Sequence, residues 1–163
     1  MNKVRQIRGL IVFLGICYLV AAIGAWVTLP AVAFGGWYTF VPKPAWTPPS
    51  WLFGPVWTIL YTLMGLAGWL VWRQAGCVMA AAAPMALFTI QLVFNLAWTL
   101  IFFGQHLPGA ALLDIVFLWL AIFATMLTFR RIHPLAGWLL LPYLLWVSYA
   151  ASLNYGIWRA LGI

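Results

Sequence analysis

The chain has 163 residues, 67% of them hydrophobic and 6% charged, with eight Lys and Arg against one acid and a net charge of +7. A soluble globule of this size leaves too much of its surface in water to hide so apolar a chain, so a lipid bilayer is the solvent that fits. The cations stand singly or in pairs between apolar runs, which suits loops facing anionic lipid and speaks against nucleic-acid binding.

A spanning helix needs about 20 apolar residues, and lipid offers the backbone no hydrogen-bond partners, so each span must be helical. The first runs from about Ile7 to Leu29 and is expected to stop at Pro30. Its apolar stretch is long enough to span, which disfavours a cleaved leader. Residues 30–50 then form a connection longer than helix bundles usually use, a length typical of lids and binding loops. The stretch PAWTPPSWLFGPVW, residues 44–57, closes this loop and opens the next helix.

The second span covers about 51–73 with Pro55 in its first turn, where a missing N–H costs nothing. The third covers about 80–103 with Pro84 near its start, and the fourth about 109–129, after Pro108 and before Arg130 and Arg131. The fifth covers about 134–159 and should kink at Pro142. The chain therefore reads as an all-α membrane protein, a single-domain bundle of five transmembrane helices with a long first loop acting as a lid. Short later connections predict that consecutive helices are antiparallel neighbours. Lys3, Arg5, Arg8, Arg73, Arg130 and Arg131 fall on one side, against Lys43 and Arg159 on the other. In a bacterial cell membrane that asymmetry puts the N-terminus in the cytoplasm, with an outer or organelle membrane left open.

Polar groups at bilayer depth are few, and each is a candidate site residue. On the third span Phe88, Gln91, Asn95, Trp98 and Phe102 share one face, and the two amides either join helices or anchor a ligand. On the fifth, Trp146, Ala150 and Asn154 recur every fourth residue, with a notch at the small Ala150. Gly54, Trp57, Thr58 and Tyr61 make a similar face on the second span. Asp114 is expected to serve as a helix N-terminal charge or in a salt bridge. His106 and His133 fall on opposite sides, which excludes a bis-histidine haem. Cys17 and Cys77 read as inert thiols. No zinc spacing, Ser/His/Asp set or phosphate loop is present, so no metal or other cofactor is expected to be required. Near the end, Leu153, Tyr155 and Arg159 match a short proposed sterol-contact pattern that is common by chance.

Taken together, WTPPSWLFGPVW (46–57), WY and KPAW (37–38 and 43–46), QLVFNLAWTLIFFG (91–104) and LPYLLWVSYAASLNYGIWR (141–159) resemble the tryptophan-rich sensory protein/translocator protein (TspO/MBR) family, once called peripheral-type benzodiazepine receptors. The resemblance implies a five-helix bundle, usually dimeric, that binds porphyrins (protoporphyrin IX or haem), sterol-like lipids and synthetic isoquinoline or benzodiazepine ligands under the first loop. By the same resemblance the pocket would fall on Tyr38, Trp46, Pro48, Trp57, Gln91, Asn95, Trp98, Trp146, Ala150 and Leu153. The sterol-contact segment would fall on Leu153, Asn154, Tyr155 and Arg159. Trp57 and Trp146 match positions tied in some bacterial relatives to light-dependent porphyrin breakdown. Thr39 replaces an acid found after the Trp-Tyr pair in many bacterial relatives, and Ala110 replaces a tryptophan of mammalian ones.

Three readings follow. The leading one is a membrane-embedded binding protein for tetrapyrroles and sterol-like lipids, with a role in their transport, sensing or regulation. The second is a light-dependent porphyrin-degrading enzyme using Trp57 and Trp146. The third is a dimeric scaffold, for which Ala82 and Ala86 offer a small-residue contact on the third span.

Overall fold

The computed structural model describes residues 2–162, and every regular element among them is helical. Five segments are long and apolar enough to cross a membrane: Lys3–Val32, Ser50–Ala75, Met79–Gly104, Pro108–Ile132 and Pro134–Leu161. The first is helix α1, Lys3–Val32, capped by the Asn2 side chain, which accepts from the Arg5 N–H at 2.9 Å. Its end corrects the expected stop at Pro30, which lies inside the last turn. So close to the terminus a proline forfeits little, and the Ala33 N–H still closes on the Leu29 carbonyl at 3.0 Å.

The lid holds one short helix, α2, Trp37–Phe40. A 3₁₀ turn at Ser50–Leu52 then leads into α3, Phe53–Ala75, which stops at Gly76 in the left-handed region with φ 82°. Another 3₁₀ turn, Met79–Ala81, precedes α4, Ala82–Thr99. The third span finishes as a π turn over Leu100–Gly104, with the Gln105 N–H reaching back to Leu100 at 2.9 Å. Helical periodicity turns only Phe102 inward. The wider turn buries Phe102 and Phe103 side by side, their ring centroids 4.8 Å apart.

Helix α5, Pro108–Ile132, starts on its proline and runs past Phe129, because Arg130 and Arg131 suit the negative end of a helix dipole. The fifth span breaks at Leu140 into α6, Pro134–Leu139, and α7, Leu141–Leu161. The Pro142 ring excludes the carbonyl four residues back, so the expected kink is a full restart with Pro142 in the first turn of α7.

The helices form a ring that is not in chain order. Helix α1 packs on α3 and α4, α4 on α5, α5 on α6 and α7, and α6 on α3. The expectation that all consecutive spans are neighbours therefore fails between the second and third, because α1 lies between them. Close packing of α1 on α3 is confined to one half of the bundle. A Cβ on Gly65 would lie 2.8 Å from Leu14 Cδ2, one on Gly68 would lie 2.8 Å from Phe13 Cδ1, and one on Gly9 would overlap the Trp72 ring. The Tyr18 hydroxyl meets Thr62 Oγ1 at 2.7 Å, and beyond that link α1 leans onto the third span, with Gly24 facing Thr99 and Val27 facing Gly104. The divergence of α1 from α3 opens a space between them.

Candidate functional site

Between the diverging halves of α1 and α3 lies a cavity of about 290 Å³. Helix α3 contributes Phe53, Gly54, Trp57, Thr58 and Tyr61, which recur every third or fourth residue and so share one face. Trp98, Thr99 and Phe103 come from the third span, and Trp146 and Ala150 from α7. Helix α1 supplies small residues opposite them, among them Ala21, Gly24 and Ala25. Ala25, Leu29, Gly54 and Thr58 line the cavity and are themselves exposed, so one side is open between α1 and α3. The wall is aromatic on three sides: Trp57 lies 5.5 Å from Tyr61 and Phe53 lies edge-on to Trp146 at 6.0 Å, while Trp98 stacks on Phe102 at 5.1 Å.

The indoles differ in how their N–H groups are used. Trp98 donates to Asn154 Oδ1 at 3.0 Å, and Asn154 in turn donates to the Pro108 carbonyl at 2.7 Å, which ties the third span to α7 and the start of α5. Trp57 and Trp146 line the cavity, and their N–H groups find no acceptor among the described residues. At the mouth the hydroxyls of Ser50 and Thr28 are similarly free among the described residues.

The two amides of α4 lie behind this wall. Asn95 accepts from the Tyr61 hydroxyl at 2.5 Å and donates to the Tyr143 hydroxyl at 2.9 Å, joining three helices in a fully buried relay. Tyr61 and Tyr143 both flank Trp57, so the relay sets the position of that indole. Gln91 departs from the helix-joining reading: its amide N–H bonds to Phe88 of its own helix, and its buried Oε1 has no partner among the described residues. Asp114 departs too. It sits beyond the first turn of α5 with Oδ2 buried and unpartnered among the described residues, and it forms no salt bridge there.

Of the ten pocket positions named from sequence, Trp57, Trp98, Trp146 and Ala150 line the cavity. Tyr38, Trp46, Pro48, Gln91, Asn95 and Leu153 do not. Tyr38 is buried in the lid against Phe53 and Phe103, at 6.4 and 5.5 Å, and so packs on two cavity residues from behind. Burial, with the Tyr149 phenol nearby, pushes its hydroxyl up to about 12, so it stays neutral across the physiological range. The Trp46 side chain is exposed, but its carbonyl accepts from Tyr149 at 2.6 Å. Trp37 stacks on His106 at 4.5 Å, and Lys43 stands 4.8 Å over Tyr38 while bonding the Val41 carbonyl at 3.2 Å. The exposed Thr39 hydroxyl only donates to the nearby Gly36 carbonyl at 2.7 Å, so the lid is fastened by aromatic stacking and the Tyr149 bond, with no acid at that position. The sterol-contact segment divides: Leu153 and Asn154 are buried, while Tyr155 and Arg159 face outward on the other side of α7.

The model of the TspO/MBR family matches residues 13–159. The chain belongs to the TspO/MBR family. Its relatives cross the kingdoms. The tryptophan-rich protein TspO of Chlorobaculum tepidum is 44% identical over 96% of this chain and 97% of its own length. The human translocator protein is 44% identical over 76% of this chain and 73% of its own. The TspO of the archaeon Archaeoglobus fulgidus is 41% identical over 75% and 78%. With five apolar spans, this TspO/MBR chain is an integral multi-pass membrane protein.

Sequence reasoning missed the contribution of α1. Tyr18, Ala21, Gly24, Ala25 and Thr28 follow a helical stripe of small and hydroxylated residues that reads as ordinary packing. Only the divergence from α3 turns that stripe into a cavity wall.

Proposed function

We propose that the cavity binds tetrapyrroles of the porphyrin class, with synthetic isoquinoline or benzodiazepine ligands competing for it, and that the protein acts in tetrapyrrole transport or sensing. The observation that carries this reading is the convergence of Trp57, Trp98 and Trp146 on one cavity with an open side. Its volume, about 290 Å³, stands just below the range of about 300–1,000 Å³ typical of ligand pockets. A flat ring would therefore enter edge-first between the indoles and project through the gap between α1 and α3. The unused N–H groups of Trp57 and Trp146 would meet ring or carboxylate acceptors, with the Ser50 and Thr28 hydroxyls at the mouth. The amides, being buried behind the wall, have no part in the contact. A sterol-like lipid would touch the outward pair Tyr155 and Arg159. Names of relatives agree with such roles, one being a translocator protein and another, from Cereibacter sphaeroides, a tryptophan-rich sensory protein. We place the protein in a bacterial cell membrane as a homodimer, with the N-terminus inside.

Titration of protoporphyrin IX against tryptophan fluorescence tests the reading. Trp57→Phe/Trp146→Phe should weaken binding at least tenfold while far-UV circular dichroism stays unchanged. Equal affinity in the double variant would remove the indoles from the site.

A second reading is favoured by the placement of Trp57 against Tyr61 and Tyr143, at 5.5 and 6.2 Å. An excited porphyrin would take one electron from Trp57, dioxygen would add across a meso C=C bond of the reduced ring and end as the two carbonyl oxygens of the opened tetrapyrrole, and the electron would return to the indole radical cation held beside two phenols. Illumination in air should then yield a defined product that requires Trp57. Bleaching at the rate of free porphyrin would dismiss the enzyme.

A further inference from the structure

A second cavity, of about 530 Å³, lies at the opposite end of the bundle from the lid, in the cleft between α1 and α4. Its walls are Val12 and Ile16 from α1 and Met85 and Leu92 from α4, over a floor that includes Phe13 and Phe88. At its mouth stand Arg5 and Arg8, both exposed. Arg5 is held in place: it donates to the Gly76 carbonyl at 3.0 Å and lies 5.7 Å over the Trp72 ring. Arg8 makes no hydrogen bond or ion pair among the described residues. Neither arginine can be neutralised within the chain, because the one acidic side chain, Asp114, sits near the start of α5 at the lid end.

The geometry carries a further constraint. From Arg5 to Ile16 helix α1 rises about 16 Å, at about 1.5 Å per residue. Half of a hydrocarbon core of about 30 Å is about 15 Å, so the groove has the depth of one leaflet, with the cations at its polar edge. A soluble anion would satisfy the arginines but not the apolar walls, and a neutral or zwitterionic lipid would fill the walls but leave two cations uncompensated. We propose that this groove is a site for an anionic glycerophospholipid of that leaflet. Its phosphate lies between Arg5 and Arg8, and one acyl chain lies between α1 and α4. The site is separate from the indole cavity and does not depend on what that cavity binds.

The full-length protein in mild detergent tests this by native mass spectrometry and thermal shift. Dioleoyl phosphatidylglycerol is compared with dioleoyl phosphatidylcholine and with glycerol phosphate. Phosphatidylglycerol should be retained in preference to phosphatidylcholine, and the preference should fall about fivefold for each arginine removed in Arg8→Gln and Arg5→Gln/Arg8→Gln. Val12→Trp, which fills the groove, should abolish retention in the wild-type charge background. Arg8→Gln is the decisive variant, since Arg8 holds nothing in the fold. Equal retention of the two lipids, or a preference that survives loss of both arginines, would overturn the proposal. A shift produced by glycerol phosphate alone would assign the arginines to a soluble anion instead. Dimer dissociation in Val12→Trp with lipid retention unchanged would assign the groove to a second copy of the chain.

Discussion

Asn95→Leu removes the centre of the buried relay while keeping the same number of side-chain heavy atoms. The Tyr61 hydroxyl then loses its acceptor and the Tyr143 hydroxyl loses its donor, both inside a site from which water is excluded. A stranded buried polar group costs about 1–3 kcal/mol in soluble proteins, whereas interhelical hydrogen bonds in membranes average about 0.6 kcal/mol. The membrane value governs here, because an unfolded chain in lipid or detergent finds other partners for its phenols. With two bonds lost, the cost should be about 1.2 kcal/mol, a shift of about eightfold in the folding equilibrium. Unfolding in mixed SDS micelles, followed by tryptophan fluorescence, reads this directly. The triple variant Asn95→Leu/Tyr61→Phe/Tyr143→Phe should recover most of the loss, since it removes the hydroxyls that were stranded. Because Trp57 rests on both phenols, the single variant should also weaken porphyrin binding. Wild-type stability in Asn95→Leu, or no recovery in the triple variant, would refute the relay as the element that joins α3, α4 and α7.

Three further outcomes follow from the same geometry. Gly68→Val forces a side chain against the Phe13 ring and should destabilise the bundle by about 1–3 kcal/mol, seen as a lower SDS midpoint, with α1 displaced from α3. Ala150→Phe fills the notch beside Trp146 and should weaken protoporphyrin binding at least tenfold in the quenching titration without lowering thermal stability. Tyr149→Phe frees the Trp46 carbonyl and should cost only about 0.5–1.5 kcal/mol, yet raise hydrogen exchange across residues 45–49 and speed ligand release, measured by stopped-flow fluorescence.

Much of the site is legible in local sequence because membrane helices declare themselves by length and apolarity. A single helical period also fixes which residues share a face. That logic places Trp57 with Gly54, Thr58 and Tyr61, and Trp146 with Ala150, and the cavity uses both sets. The prolines at 55, 84, 108 and 134 mark helix beginnings for the same reason, since a first-turn residue needs no N–H. Pro30 misleads because the last turn of a helix that has already formed tolerates a lost bond.

What the sequence by itself determined was the number of membrane spans, the uneven distribution of cations and the family whose tryptophan pattern the chain carries. Tertiary structure decided which faces meet. Insertion of α1 between the second and third spans, its divergence from α3 beyond Tyr18 and Thr62, and the π turn that rotates Phe103 inward all depend on contacts between residues far apart in the chain. Periodicity reports the direction a side chain takes from its own helix axis, and it carries no information about which helix lies opposite. For that reason Gln91 and Asn95, one turn apart on the same face, look alike in sequence. In the folded bundle one bonds within its own helix, and the other holds three helices around the indole cavity.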